Sequence, residues 1–187
     1  MLRSSMGSSS YRRSRASSRS KSRITERDFK EQAMDKHAII EKLLEERQNV
    51  LKAIEGISDD EMNEPMGEGK WSVKDTLGHL AAWEGEVVNA FEQKARGERP
   101  TVGDIKDYDS WNSAQAAKRK DKSVEEIREE FNETRKKLLT IVNDLPEDEN
   151  LWAPERSTSK YLNDLIEHDR HHWKALCAYR HLDCADA

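Results

Sequence analysis

Glycine and proline are scarce, eight and four in 187 residues, which argues against an all-β fold built on many tight turns. Long apolar runs are missing too, and none approaches the ~18 residues that a membrane span needs. Aromatics make up 6% and all hydrophobics 35% of the chain, against 37% charged residues. That balance fits a small helical protein with one buried stripe per helix and solvated outer faces. Only two cysteines occur, Cys177 and Cys184. Two turns apart on one helix they are too distant to bridge, so free thiols and a reducing, cytoplasmic compartment are expected.

The length suits one domain plus a tail. Residues 1–25 hold ten serines, seven basic residues (Arg3, Arg12, Arg13, Arg15, Arg19, Lys21, Arg23) and no acid. Such a segment cannot bury enough apolar surface to offset its ordering entropy, and disorder is expected there. It reads as a solvated extension, with Met6 as an alternative start, or as an Arg- and Ser-rich transit peptide for an organelle. The remainder carries 25 basic against 37 acidic residues, a balance of −12. From that acidity the folded domain is expected not to bind nucleic acid, which needs a basic face for phosphates.

Apolar residues recur at three- and four-residue steps in four segments, which predicts an all-α fold, a four-helix bundle over residues 26–182 with 183–187 as its end. The first helix is expected from Glu26 to Glu55, capped by Thr25, with Ala33, His37, Ile40, Leu44, Leu51 and Ile54 inward. The second runs from a Ser72 cap to about Arg96. The third begins at Ser123, where Glu126 completes a capping box, and ends before Pro146. The fourth runs from about Ser159 to Leu182. Short loops after the first and third helices predict antiparallel neighbours. The connection between the second and third is long enough to cross the bundle, with Tyr108 and Trp111 packed inward.

Three histidines carry the chemistry. His168 and His172 lie four apart, so a helix stacks them on one face. Tyr161 and Leu165 share that face and mark it as the buried one. Two imidazoles one turn apart, joined by a third from another helix, make a divalent-metal site with an open position for water, whose pKa on zinc falls to about 7. The competing reading is that the pair simply packs in the core. His79 flanks the apolar stripe of the second helix, beside Thr76 and Trp83. His171 points about 100° away from His172. His37 reads as core packing and His181 as exposed.

Glu84 falls inside the apolar patch of Leu80, Val87 and Val88. A buried carboxylate there is costly unless it is paired or functional. It is the candidate catalytic group, as a general base or as the orienter of a ligand histidine. The alternative is an ion pair with an arginine of a neighbouring helix. Asp75 and Asp169 are expected on solvated faces, and Asn112 with Trp111 as lining over the histidines.

The segment KWSVKDTLGHLAAWE (Lys70–Glu84) resembles the second-helix motif of the DinB/YfiT-like superfamily, and EHDRHHWKAL (Glu167–Leu176) resembles its late H-x3-H. The connection DYDSWNSAQAAKRKDKSVEEI looks like the ClbS/DfsB-family branch. The resemblance covers about Glu26 to Leu182. It implies that His79, His168 and His172 bind a divalent metal, zinc or nickel. It also implies a small-molecule substrate, a hydrolase or a transferase using a low-molecular-weight thiol, and a homodimer. Rival readings are a ClbS-like, metal-free hydrolase acting on a reactive electrophile in self-protection, and a non-enzymatic binding protein of the stress response.

Overall fold

Ser72 and Ser123 begin their helices as expected. Each hydroxyl accepts the backbone N–H three residues on, and Asp75 and Glu126 close the two capping boxes. The computed structural model describes residues 35–184. The tail, the Thr25 cap, Ala33 and residues 26–34 of the first expected helix lie outside that range. Among the described residues the elements are α1 (Lys36–Ala53), α2 (Asp59–Asn63), α3 (Val73–Ala95), a 3₁₀ turn (Val102–Asp104), α4 (Tyr108–Arg119), α5 (Val124–Asp144), α6 (Glu149–Trp152) and α7 (Ser157–Arg180). None of these helices is long and apolar enough to cross a membrane.

The four long helices α1, α3, α5 and α7 form a bundle, but the loops do not join its closest neighbours. α1 packs chiefly on α7 and α3 on α5. Both pairs run parallel. Glu46 meets Arg170 while the carbonyls of Ala53 and Glu55 meet Arg180; Lys74 meets Lys122 while Glu92 meets Lys137. Helices joined by the shorter loops therefore face each other diagonally. The expectation of antiparallel neighbours fails because the long 96–123 connection returns the chain to the end it left, and α5 then runs beside α3 in the same direction.

The core has two apolar halves. One contains Val50, Leu77, Phe131 and Leu176, and the other Leu43, Val88, Leu138 and Leu162. Between them in sequence, on all four helices, comes a turn of polar residues: Glu46 and Arg47 on α1, Glu84 on α3, Thr134 and Arg135 on α5, Asp169 on α7. Arg47 donates to Glu84 at 2.7 Å and to the Phe131 carbonyl at 2.7 Å. Arg135 bonds Glu84, the Leu43 carbonyl and, at 2.7 Å, Asp169. Each charge is buried against an opposite charge, the arrangement under which burial is tolerated.

This layer corrects several expectations. Asp169 is 2% exposed rather than solvated. α1 is rotated from its expected phase, because Glu46 and Arg47 face inward. His37 leaves the core, its side chain 77% exposed and 3.7 Å from Glu147, and Leu44 is 44% exposed. Tyr108 is 60% exposed. Cys177 and Cys184 are not free but disulfide-bonded, with Cα atoms 6.1 Å apart. α7 stops at Arg180, His181 takes a left-handed backbone (φ 54°), and the chain folds back so that Leu182 N–H donates to the Cys177 carbonyl at 3.0 Å. The straight helix that would have kept the sulfurs apart does not exist there.

Candidate metal centre and its groove

α3 and α7 cross antiparallel, since His79 meets His168 and His172 near one end while Phe91 meets Tyr161 near the other. The i, i+4 spacing stacks His168 and His172 on the α7 face turned towards α3, with ring centroids 4.7 Å apart. Asp169, tied to Arg135, anchors the same turn from its other side. On α3, His79 projects beside the apolar stripe, with the Trp71 ring 4.6 Å away.

His79 Nε2 lies 2.8 Å from His168 Nε2, which lies 3.2 Å from His172 Nε2. One ligand atom from each residue falls within 4.8 Å of the others, a spacing that can hold a metal ion. Nitrogens each ~2.1 Å from a common ion stand about 3.0–3.4 Å apart. The donor set also fits chemically. A lone His168 nitrogen between two others cannot satisfy both as hydrogen-bond donor and acceptor at once, whereas three lone pairs turned to one cation all find a partner. Burial pushes His79 and His172 down to about 3 and His168 to about 4, and the neighbouring positive charge of other histidines and Arg119 adds to it. All three are neutral at pH 7, the form that ligates.

Glu84 is not brought to this site. Its carboxylate, 1% exposed, is taken up by Arg47, Arg135 and the Thr134 hydroxyl, which donates at 3.0 Å. The general-base role is therefore set aside in favour of the arginine pairing: a carboxylate holding two guanidiniums has no free lone pair aimed at a substrate. His171 is exposed, with its ring 5.2 Å from that of His172, and His181 is exposed at the end of α7.

α4 places one of the two expected lining residues, Asn112, at the groove. Trp111 stacks on Trp83 at 4.1 Å, Tyr108 lies 5.6 Å from the same indole, and Asn112 accepts the Trp83 Nε1–H at 2.9 Å. Beside His79 and His168, the residues Trp83, Tyr108 and Asn112 border an open groove of about 470 Å³, with Tyr161, Leu165 and Asp164 on its α7 wall; Trp111, expected as lining, is not among them. Sequence reasoning missed Trp71, Arg119 and Asp164 as neighbours of the site. Asp164 had a usable signal, because it lies four residues before His168 and three after Tyr161.

A bundle with three convergent imidazoles and an aromatic groove defines a class, the helical three-histidine proteins. The DinB superfamily model matches residues 42–176, and the chain belongs to that superfamily. Among curated proteins no match is found. The crystal structure of the colibactin self-resistance protein ClbS in complex with a dsDNA is similar in fold. The TM-score is 0.70 at 14% identity, over 81% of this chain and 98% of that one. That complex overturns the expectation that an acidic folded domain of this kind excludes nucleic acid. Net charge is the wrong test, because phosphates need only a local basic patch.

Proposed function

We propose that this protein is a metal-dependent enzyme of the DinB superfamily, a hydrolase or a thiol-dependent transferase, with His79, His168 and His172 as the ligands of one divalent ion, zinc or nickel. The observation that carries the reading is the convergence of three neutral Nε2 atoms whose hydrogen bonds among the described residues are to one another. When bound, the ion supplies Lewis-acid polarisation of a substrate oxygen and activation of water or a thiol. The chain does the rest. α7 fixes two imidazoles at one spacing, and Trp71 limits the swing of the His79 ring. Trp83 and α4 bound a groove that admits a small molecule next to the open side of the cluster. The test is titration of Zn²⁺ and Ni²⁺ into chelator-stripped protein, followed by turnover of p-nitrophenyl acetate and of glutathione with an electrophile. Saturable one-site binding lost in His168→Ala, with turnover following metal content, supports the reading. Turnover indifferent to both would favour metal-free hydrolysis, and binding without turnover a structural role.

A second reading, duplex DNA as a partner, is favoured by the ClbS complex with dsDNA and by one basic corner of this chain. Lys74 donates to the carbonyls of Lys120 and Lys122, and Lys118 and Lys120 are exposed beside it. Affinity for a 20-base-pair duplex that falls steeply with salt, and weakens in Lys118→Ala/Lys120→Ala, would support it. Salt-independent or absent binding would remove it.

A further inference from the structure

The groove beside the histidines is chemically lopsided. Its walls offer aromatic faces from Trp83, Tyr108 and Tyr161, and its one acidic lining residue is Asp164. Asp164 lies on the α7 face of Tyr161 and His168, one turn before the latter, and its carboxylate accepts none of the hydrogen bonds made among the described residues. The carboxylates of this protein's interior are consumed by arginines; Asp164 is exposed and lines the opening of the groove. Tyr161 already shows what its ring attracts, since the Lys94 ammonium sits 5.0 Å from its centroid. Aromatic faces plus one carboxylate attract organic cations. The chain beyond residue 25 is acidic overall, which steers cations towards it.

We propose that the groove selects a substrate bearing a cationic group, an alkylammonium or guanidinium, held between Asp164 and the rings of Trp83, Tyr108 and Tyr161, so that its other end reaches His79 and His168. This names the substrate class for the enzyme reading above and rests on it only for what happens at the histidines. A volume near 470 Å³ suits a small organic molecule. Lys160, exposed one turn before Asp164, acts on its carboxyl, and Lys94 donates to Ser157 while its ammonium sits by the Tyr161 ring. Burial raises the Asp164 carboxyl while Lys160 opposes it, so the group gains from a cationic partner.

The test uses two probes of similar size and opposite charge, benzyltrimethylammonium and phenylmethanesulfonate. They are titrated into the full-length protein and followed by calorimetry and by tryptophan fluorescence. The cation is expected to bind at least ~5-fold more tightly than the anion, and Asp164→Asn to remove most of that preference. Trp83→Leu should weaken the cation whatever residue 164 is. Equal affinity, a preference for the anion, or selectivity unchanged in Asp164→Asn would overturn the proposal. Running the titrations on metal-stripped protein, with metal content measured separately, keeps the outcome distinct from that of the metal reading. Cation selectivity without metal binding would sink only the latter.

Discussion

Glu84→Gln is the sharpest perturbation of the polar layer. In the parent the carboxylate neutralises two guanidiniums, Arg47 at 2.7 Å and Arg135, and accepts the Thr134 hydroxyl at 3.0 Å. Glu84 and both arginines are buried, so solvent screening offers little relief. The amide keeps the shape but removes the charge and turns an NH₂ towards a donor. Asp169 is then left to balance two buried cations. Removing one member of a buried pair costs about 3–5 kcal/mol, and the same range is expected here. Urea unfolding at pH 7.5 measures it, as a lowered midpoint with an unchanged m-value. A double variant, Glu84→Leu with Arg135→Met, should recover much of the loss, because an apolar pair no longer leaves charge unpaired. Metal content should not change in Glu84→Gln, since Glu84 makes no bond to the histidines. A single variant within 0.5 kcal/mol of the parent, or a double variant as destabilised as Glu84→Gln, would refute the reasoning.

Metal-free protein should lose stability on acidification below pH 6.5. The unfolded histidines take up protons there, while the folded ones stay neutral down to about 3 to 4. At pH 5.5 the penalty is about 1.4 kcal/mol per imidazole at most, near 4 in total, visible as a drop in urea midpoint from pH 7.5; a flat midpoint would contradict it. Gly85→Ala, in the middle of α3 with open space where its Cβ would sit, should raise Tm by the equivalent of up to ~1 kcal/mol. Gly78→Ala should gain less, because its Cβ would meet Arg119 Cδ at 3.0 Å. Cys184→Ser should cost about 2.4 kcal/mol by the loop-closure relation for a seven-residue span, and nothing under reducing conditions.

The four amphipathic segments, the Ser72 cap, the Ser123–Glu126 capping box and the His168/His172 pair were legible because each is a local pattern: periodicity, a cap three residues from its acid, a one-turn spacing. His79 was the weakest of the three candidates, since its own helix places it only at the edge of the stripe, and the resemblance strengthened it. Glu84 was legible as a buried carboxylate with an arginine partner as one reading, but the other buried charges were not. Glu46, Arg47, Arg135 and Asp169 look like solvated positions until partners from three other helices meet them, and no pattern within one helix announces that. The phase error on α1 has the same origin: excluding charges from the core pushed His37 and Leu44 into it. The disulfide depended on a single backbone angle at His181, and the parallel pairing of α3 with α5 on the path of a long connection.

The proposed function requires one ion among His79, His168 and His172. Anomalous diffraction from crystals of protein equilibrated with Zn²⁺ or Ni²⁺, collected at the metal edge, tests it most directly. One peak per chain is expected, about 2.1 Å from all three Nε2 atoms, and none in His168→Ala. Crystals of the parent soaked under those conditions, showing no peak among the imidazoles, would contradict it.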